Sequence, residues 1–393
     1  MNKFFSYKGR KGEMKFSVIY MGDINALNGA SKVVKSFLEN SQLFKKNGVT
    51  LNNIFCSRSN KKTKKWIKNI FSKTFIGSLI SIYIQYFSNA KKAVKKYINS
   101  NNDDDVIVFH DIFSCYTFKK YHEENSIKII LVLHNNGHTW EMLYEYFPKI
   151  KGSIFDKFLD KVEKETLDFV DRVVFVSKKS ASNFCQKNSS YSNKVEHIYN
   201  GIPSTTNTKN EILKINKLNM VSVGTLNSRK SQDLILKSLN ELDDDSIKLT
   251  LIGDGDKFHE YHNLAKKFDL LTQVEFLGQR KDVEELLPNF NLFIMSSKDE
   301  GLPISIIEAM KFGLPIIATD VGGIKELING NGILVEPNYK SIKSAISKIN
   351  SNKNSLKKMS NKSLELFRNN FTVTEMIKNY SNLIKRVVNC EFN

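Results

Sequence analysis

Residues 291–323 confine the chain to a narrow set of folds. They begin with an apolar run, NLFIM at 291–295, whose length and polar bounds fit a buried strand. The next stretch, 296–323, reads SSKDEGLPISIIEAMKFGLPIIATDVGG. Within it Ile304, Ile307 and Met310 share one helical face, with Ile306 at its edge. Gly301 and Pro303 mark a turn and a helix start. A second strand-like run, LPIIAT at 314–319, leads into DVGG at 320–323, whose glycines allow close backbone approach to a ligand. Strand, tight loop, helix and strand in that order form a βα unit of a doubly wound sheet.

Two carboxylates stand in this unit, Glu300 on the loop and Glu308 in the first turns of the helix. Open α/β sheets place ligands at the carboxyl ends of their strands, so Glu300 is expected to face one. The free N–H groups of the helix start, with its dipole, form an anion site between the two acids. A phosphate flanked by carboxylates that accept hydroxyl hydrogen bonds describes a site for a sugar nucleotide.

The same unit recurs along the chain. KFSVIYM at 15–21 runs into a Gly-containing loop and a helix, with Gly29 at the turn. VIVF at 106–109 precedes His110 and Asp111, and KIILVL at 128–133 precedes His134 and, more weakly placed, His138. His110 is either a face of the cleft or a hydrogen-bonded structural residue. Short strands at 172–176 and 195–199 follow, then the turn NGIP at 200–203. The polar segment 204–217 has the composition of a linker. A second series opens with LNMVSV at 218–223 and continues through GTLNSRKSQD, KLTLI at 248–252 and GQRKD at 278–282. The last segment spaces Met376, Tyr380, Leu383 and Val387 for one helical face.

These residues together resemble the family-4 retaining glycosyltransferases of the GT-B fold, the glycosyl transferases group 1 of bacterial polysaccharide synthesis. The carriers are the two glutamates of EGLPISIIEAM, the following GLPIIATDVGG, the NGIP turn and Lys230 in the loop after 218–223. The resemblance implies two Rossmann-like doubly wound domains with a cleft between them. Residues 1–203 would bind the acceptor, 204–372 would bind the nucleotide sugar, and 373–393 would cross back to the first domain. It implies catalytic roles for His134, Glu300 and Lys230. It assigns donor binding to Gly29, Arg229, Lys230, Arg280, Glu300, Gly301, Leu302, Pro303, Ile304 and Glu308. Thr225 stands where the family has an arginine, and Arg229 is the neighbouring replacement; Asn28-Gly29 stands where it has two glycines. No metal and no cofactor beyond the nucleotide-sugar co-substrate, most simply a UDP-sugar, is implied. The competing reading is an inactive GT-B subunit that serves as a binding partner.

Composition narrows the partners. With 393 residues, 41% of them hydrophobic, the chain can build two cores. Of its net charge of +18, nearly all lies in the first 102 residues, which hold 20 basic and 3 acidic side chains. Such an end seeks an acidic partner, either an anionic membrane surface or a polyprenyl-pyrophosphate-linked glycan acceptor. Residues 61–87 interleave lysines with Trp66, Ile67, Ile70 and Phe71, but polar breaks rule out a spanning helix and leave either an interfacial one, favoured by the further lysines at 91–96, or an ordinary amphipathic helix with a solvated basic face. No nucleic-acid module is present, and nucleic acid is not an expected partner. The acids 103–105 precede a strand rather than follow one, the wrong edge for a metal site. The fragment GDG at 253–255 lacks the third glycine of a dinucleotide fingerprint, which argues against a dehydrogenase. Four scattered cysteines and a polar, basic start lead to the expectation of a cytoplasmic protein at the inner face of the cell membrane.

Overall fold

A computed structural model describes residues 13–57, 74–121, 127–204 and 217–391. The basic run 61–73 and most of the linker lie outside the described residues. Two six-stranded parallel sheets form the frame. The first has β1 (Met14–Tyr20), β2 (Val49–Cys56), β3 (Val106–Phe109), β4 (Lys128–Leu133), β5 (Arg172–Phe175) and β6 (Val195–His197) in the order β2-β1-β3-β4-β5-β6. The second has β7 (Leu218–Val223), β8 (Ile247–Ile252), β9 (Val274–Gly278), β10 (Leu292–Met295), β11 (Ile316–Thr319) and β12 (Gly332–Val335) in the order β12-β11-β10-β7-β8-β9. Strand direction reverses its winding between β1 and β3 and between β7 and β10, so each sheet opens a crevice there.

Why the strands form is plain from their burial. Val106–Phe109, Leu292–Met295 and Ile316–Thr319 are buried at every position, as parallel strands covered on both faces must be. In the first sheet the helices after β1, β3 and β5 are started by polar caps. Asn28 accepts from the Ser31 amide at the start of helix Gly29–Glu39, which explains an asparagine beside Gly29. Asp111 caps helix Ile112–Lys119 and also accepts from the Met21 amide, tying the end of β3 to the loop after β1. Ser177 caps helix Lys178–Lys187.

The helix Ile304–Lys311 differs from its amphipathic reading. Ile304, Ile306, Ile307, Ala309 and Met310 are all buried, because helix Asn354–Asn370 packs on the side that a surface helix would show to water. One apolar cluster runs through both domains, from Phe16, Phe37 and Phe44 through Ile377 and Tyr380 to Ile306 and Ile307. The last helix, Val373–Asn389, therefore lies on the first domain, with the Tyr380 ring 5.0 Å from Phe37. The chain passes between domains at two adjacent points, where Ile202 exchanges backbone hydrogen bonds with Phe371 and Val373. Other corners are also joined. Glu326 of the second domain accepts from the Lys178 and Lys179 amides and the Tyr199 hydroxyl of the first. The side chain of Asn136 donates to Asp299.

Candidate functional site

The crevice of the second sheet brings the loops after β7 and β10 together. Ser296 Oγ donates to the Lys230 and Ser231 carbonyls at 3.0 and 2.8 Å, and the Lys298 amide donates to the Arg229 carbonyl at 2.7 Å. That lacing puts Lys230 Nζ 2.5 Å and Arg229 Nη1 3.3 Å from the same Glu300 oxygen. Glu300 is only 6% exposed. Burial pushes its carboxyl up, but Lys230 and Arg229 more than reverse this and hold it below the ordinary value. Two cations meet one carboxylate at this corner, with Asp299 and Glu145 also close to Arg229. The fit of the Glu300 loop depends on Gly322, at φ +52, where a Cβ would lie 1.6 Å from the Glu300 carbonyl.

Glu308 sits one turn into the helix Ile304–Lys311 and is 4% exposed. Burial raises its pKa, and Lys32 of the first domain partly opposes the shift through an ion pair across the cleft. Gly29 starts the Lys32 helix, and a Cβ there would lie 3.4 Å from Ile304. The amino ends of helices Gly29–Glu39 and Ile304–Lys311 thus meet beside Glu308. Pro303 is the cap of the second helix with extended backbone, and Leu302 before it is buried.

His134 follows β4 and is partly open to the cleft. Its Nε2 lies 3.0 Å from Nδ1 of buried His110. Burial among protein atoms lowers His134 to about 4 and holds His110 well below its ordinary value, with His134 adding to it, so the pair is neutral near pH 7. His110 therefore takes the structural alternative, supporting His134 from below. Gly301 lies against the His134 and Asn135 carbonyls, 2.8 and 2.9 Å from its virtual Cβ, which joins the His134 loop to the Glu300 loop across the cleft. His138 is exposed.

A cavity of about 350 Å³ between the domains is lined by Lys32, Gly224, Thr225, Gly253, Arg280 and Glu308, among others. Arg280 stands at its rim, paired with Asp282. Glu300, Lys230 and His134 do not line this cavity; they lie at the neighbouring corner where the two domains touch. Sequence reasoning missed Lys32, Asp299 and Glu326. A lysine four residues after a helix cap, where the dipole disfavours a cation, was the available signal for Lys32. Asp103, Asp104 and Asp105 serve the amino edge of the first sheet, bonding Lys15, Ser17 and Asn52. Among the described residues no cluster of three or more His, Cys, Asp or Glu side chains is placed to hold a metal ion.

Two Rossmann-like domains facing one another over a cleft with paired glutamates and cations define the GT-B architecture. Residues 38–205 match the family "Glycosyltransferase Family 4" and residues 204–365 match "Glycosyl transferases group 1". The chain belongs to the group 1 glycosyltransferases. It is 36% identical over 141 residues to an uncharacterized glycosyltransferase of Haemophilus influenzae, a match that covers 35% of this chain and 40% of that protein. It is 26% identical over 269 residues to the O-antigen biosynthesis glycosyltransferase WbnH of Escherichia coli, covering 68% of this chain and 73% of the relative. Among solved structures, Anabaena Alr3699/HepE in complex with UDP superposes with a TM-score of 0.68 at 17% identity, covering 95% of this chain and all of that one. Sucrose-phosphate synthase from Thermosynechococcus elongatus superposes with a TM-score of 0.75 at 16% identity, covering 96% of this chain and all of that one.

Proposed function

We propose that the protein transfers a sugar, with retention, from a UDP-sugar to a lipid-linked or cell-surface glycan acceptor in O-antigen, capsule or lipopolysaccharide assembly. The observation that carries this reading is the meeting of Lys230, Arg229 and Glu300 at the crevice of the second sheet, with Glu308 one turn into the helix that follows. The O-antigen role of WbnH and the UDP held by HepE agree with it.

In the reaction the acceptor hydroxyl oxygen bonds to the anomeric carbon, and the bond from that carbon to the β-phosphate oxygen breaks. The departing phosphate takes the hydroxyl proton on the same face. Negative charge grows on the phosphate, and Lys230, Arg229 and the helix start at Ile304 are positioned to stabilise it. Glu300 orients the donor sugar through its hydroxyls, and Glu308 accepts from the ribose. Neutral His134 supplies a hydrogen bond at the sugar without adding charge. Contacts between the domains exclude water from the donor.

The acceptor side supports a membrane location. Helix Phe75–Ile82 and the turn after it leave Phe75, Ile76, Ile80, Tyr83 and Ile84 exposed, and Lys91, Lys92, Lys95 and Lys96 follow on the solvent face of helix Ser88–Ile98. Apolar side chains flanked by lysines suit the boundary of an anionic leaflet. No helix among the described residues is long and apolar enough to cross a membrane.

The test is nucleotide release from a panel of UDP-, GDP-, ADP- and dTDP-sugars with a polyprenyl-pyrophosphate-linked acceptor. Lys230→Ala and Glu308→Ala should each lower turnover by at least ~10²-fold. Near-native turnover in both variants, or no thermal shift with any nucleotide sugar, would overturn the assignment and favour an inactive partner subunit.

A further inference from the structure

We propose that Lys32 is a phosphate-binding residue of the donor site, contributed by the opposite domain, and that it exchanges Glu308 for the donor diphosphate when the site fills. The inference rests on the nucleotide-sugar reading above and adds a residue to it.

Four observations converge on Lys32. Its ammonium pairs across the cleft with Glu308, a buried carboxylate of the cavity wall. Both side chains line the same cavity as Gly224 and Thr225, the start of the loop that ends at Lys230. Lys32 lies in the first turn of its helix, where its own backbone N–H groups repel a cation, so the position is costly unless an anion is shared. The first turn of the facing helix begins alongside, with Gly29 against Ile304. Two helix starts and a lysine therefore aim at one small volume, the arrangement that binds phosphate.

Two of the three other cations of the cavity are held differently. Lys35 pairs with Glu39 and Arg280 with Asp282, each within its own domain. Only the Lys32 contact among these reaches the other domain. Its side chain is 37% exposed, whereas that of Glu308 is 6% exposed, so the lysine is the member of the pair that reaches solvent. Lys32 partly offsets the burial of the Glu308 carboxylate. Once ribose hydroxyls donate to Glu308, the diphosphate on the 5′ carbon of the same ribose offers Lys32 a stronger anion. Binding and contact between the domains then become one event.

Isothermal titration with UDP and with uridine separates this role from a merely structural one. Lys32→Met should weaken UDP by about 10- to 100-fold, the scale of a charge-assisted hydrogen bond. Uridine, which lacks phosphate, should bind Lys32→Met as well as or better than the native chain, because Glu308 no longer has a competitor. Lys32→Arg keeps the charge and should retain UDP binding within a few fold, which also controls for folding. The proposal is overturned if Lys32→Met binds UDP as the native chain does, or if UDP and uridine weaken equally. Loss of UDP binding in Lys230→Met with none in Lys32→Met rejects this inference alone. A native chain that binds no UDP rejects the donor reading itself.

Discussion

Replacing Lys230 by methionine keeps the bulk of the side chain and deletes one of two cations beside a buried acid. At an effective dielectric near 20, charges 2.5 and 3.3 Å apart attract by roughly 7 and 5 kcal/mol, so Lys230 is the larger partner of Glu300. Desolvation of the carboxylate offsets much of that attraction, and Arg229 remains in the variant. A loss of about 2–4 kcal/mol in stability near neutral pH is expected. Its pH dependence carries the diagnosis. In the native chain Glu300 titrates below its ordinary value, so its contribution is complete above about pH 4.3 and fades as pH falls through the lowered value. In Lys230→Met burial dominates and the pKa rises, so the ionised acid becomes a cost that disappears as pH falls. Urea unfolding of both proteins should therefore show a gap that is wide near pH 8 and narrow near pH 4.5. Turnover should fall by at least ~10²-fold over the same range above neutrality. A gap that is independent of pH, or a variant as stable as the native chain, would show that Glu300 does not depend on this lysine.

Other features give further expectations. His134 is held at about 4 by burial, below its ordinary 6.5, so the native chain should lose up to about 3 kcal/mol of stability as pH falls from 6.5 towards 4. His134→Asn should flatten that limb of a urea-unfolding pH series. Gly301→Ala places a methyl 2.8 Å from the His134 carbonyl and should prop the domains apart, lowering kcat/KM at least ~10-fold while widening the solution scattering profile. Tyr380→Ala empties a fully buried ring site between the last helix and Phe37 and should cost about 3–5 kcal/mol in urea unfolding.

The sheets and the Glu300 loop were legible because each depends on local pattern. A short apolar run, a Gly or Pro turn and a capped helix fix a βα unit without reference to anything distant. The cross-cleft contacts were not legible in the same way. Lys32 and Glu308 are 276 positions apart, and their meeting depends on how one sheet faces the other. The same holds for Asn136 with Asp299 and for Glu326 with the Lys178 helix. Helix Ile304–Lys311 carries the period of a surface helix, yet every residue but Ser305 is buried, since neighbours from a distant part of the chain decide which faces see water. His110 could be placed at the end of β3 from its run of Val and Ile, but only the fold shows that its partner is another histidine.

The crossing of the last helix has a consequence for biosynthesis. Phe37 and Phe44 belong to a layer that Tyr380 and Ile377 close. A ribosome adding roughly 5–20 residues per second leaves that layer uncovered for about 10–40 s after β6 has emerged. During this interval the nascent amino-terminal half carries an unsealed apolar face, a binding surface for trigger-type chaperones, and premature termination anywhere before Tyr380 would produce a sticky fragment rather than a free-standing domain.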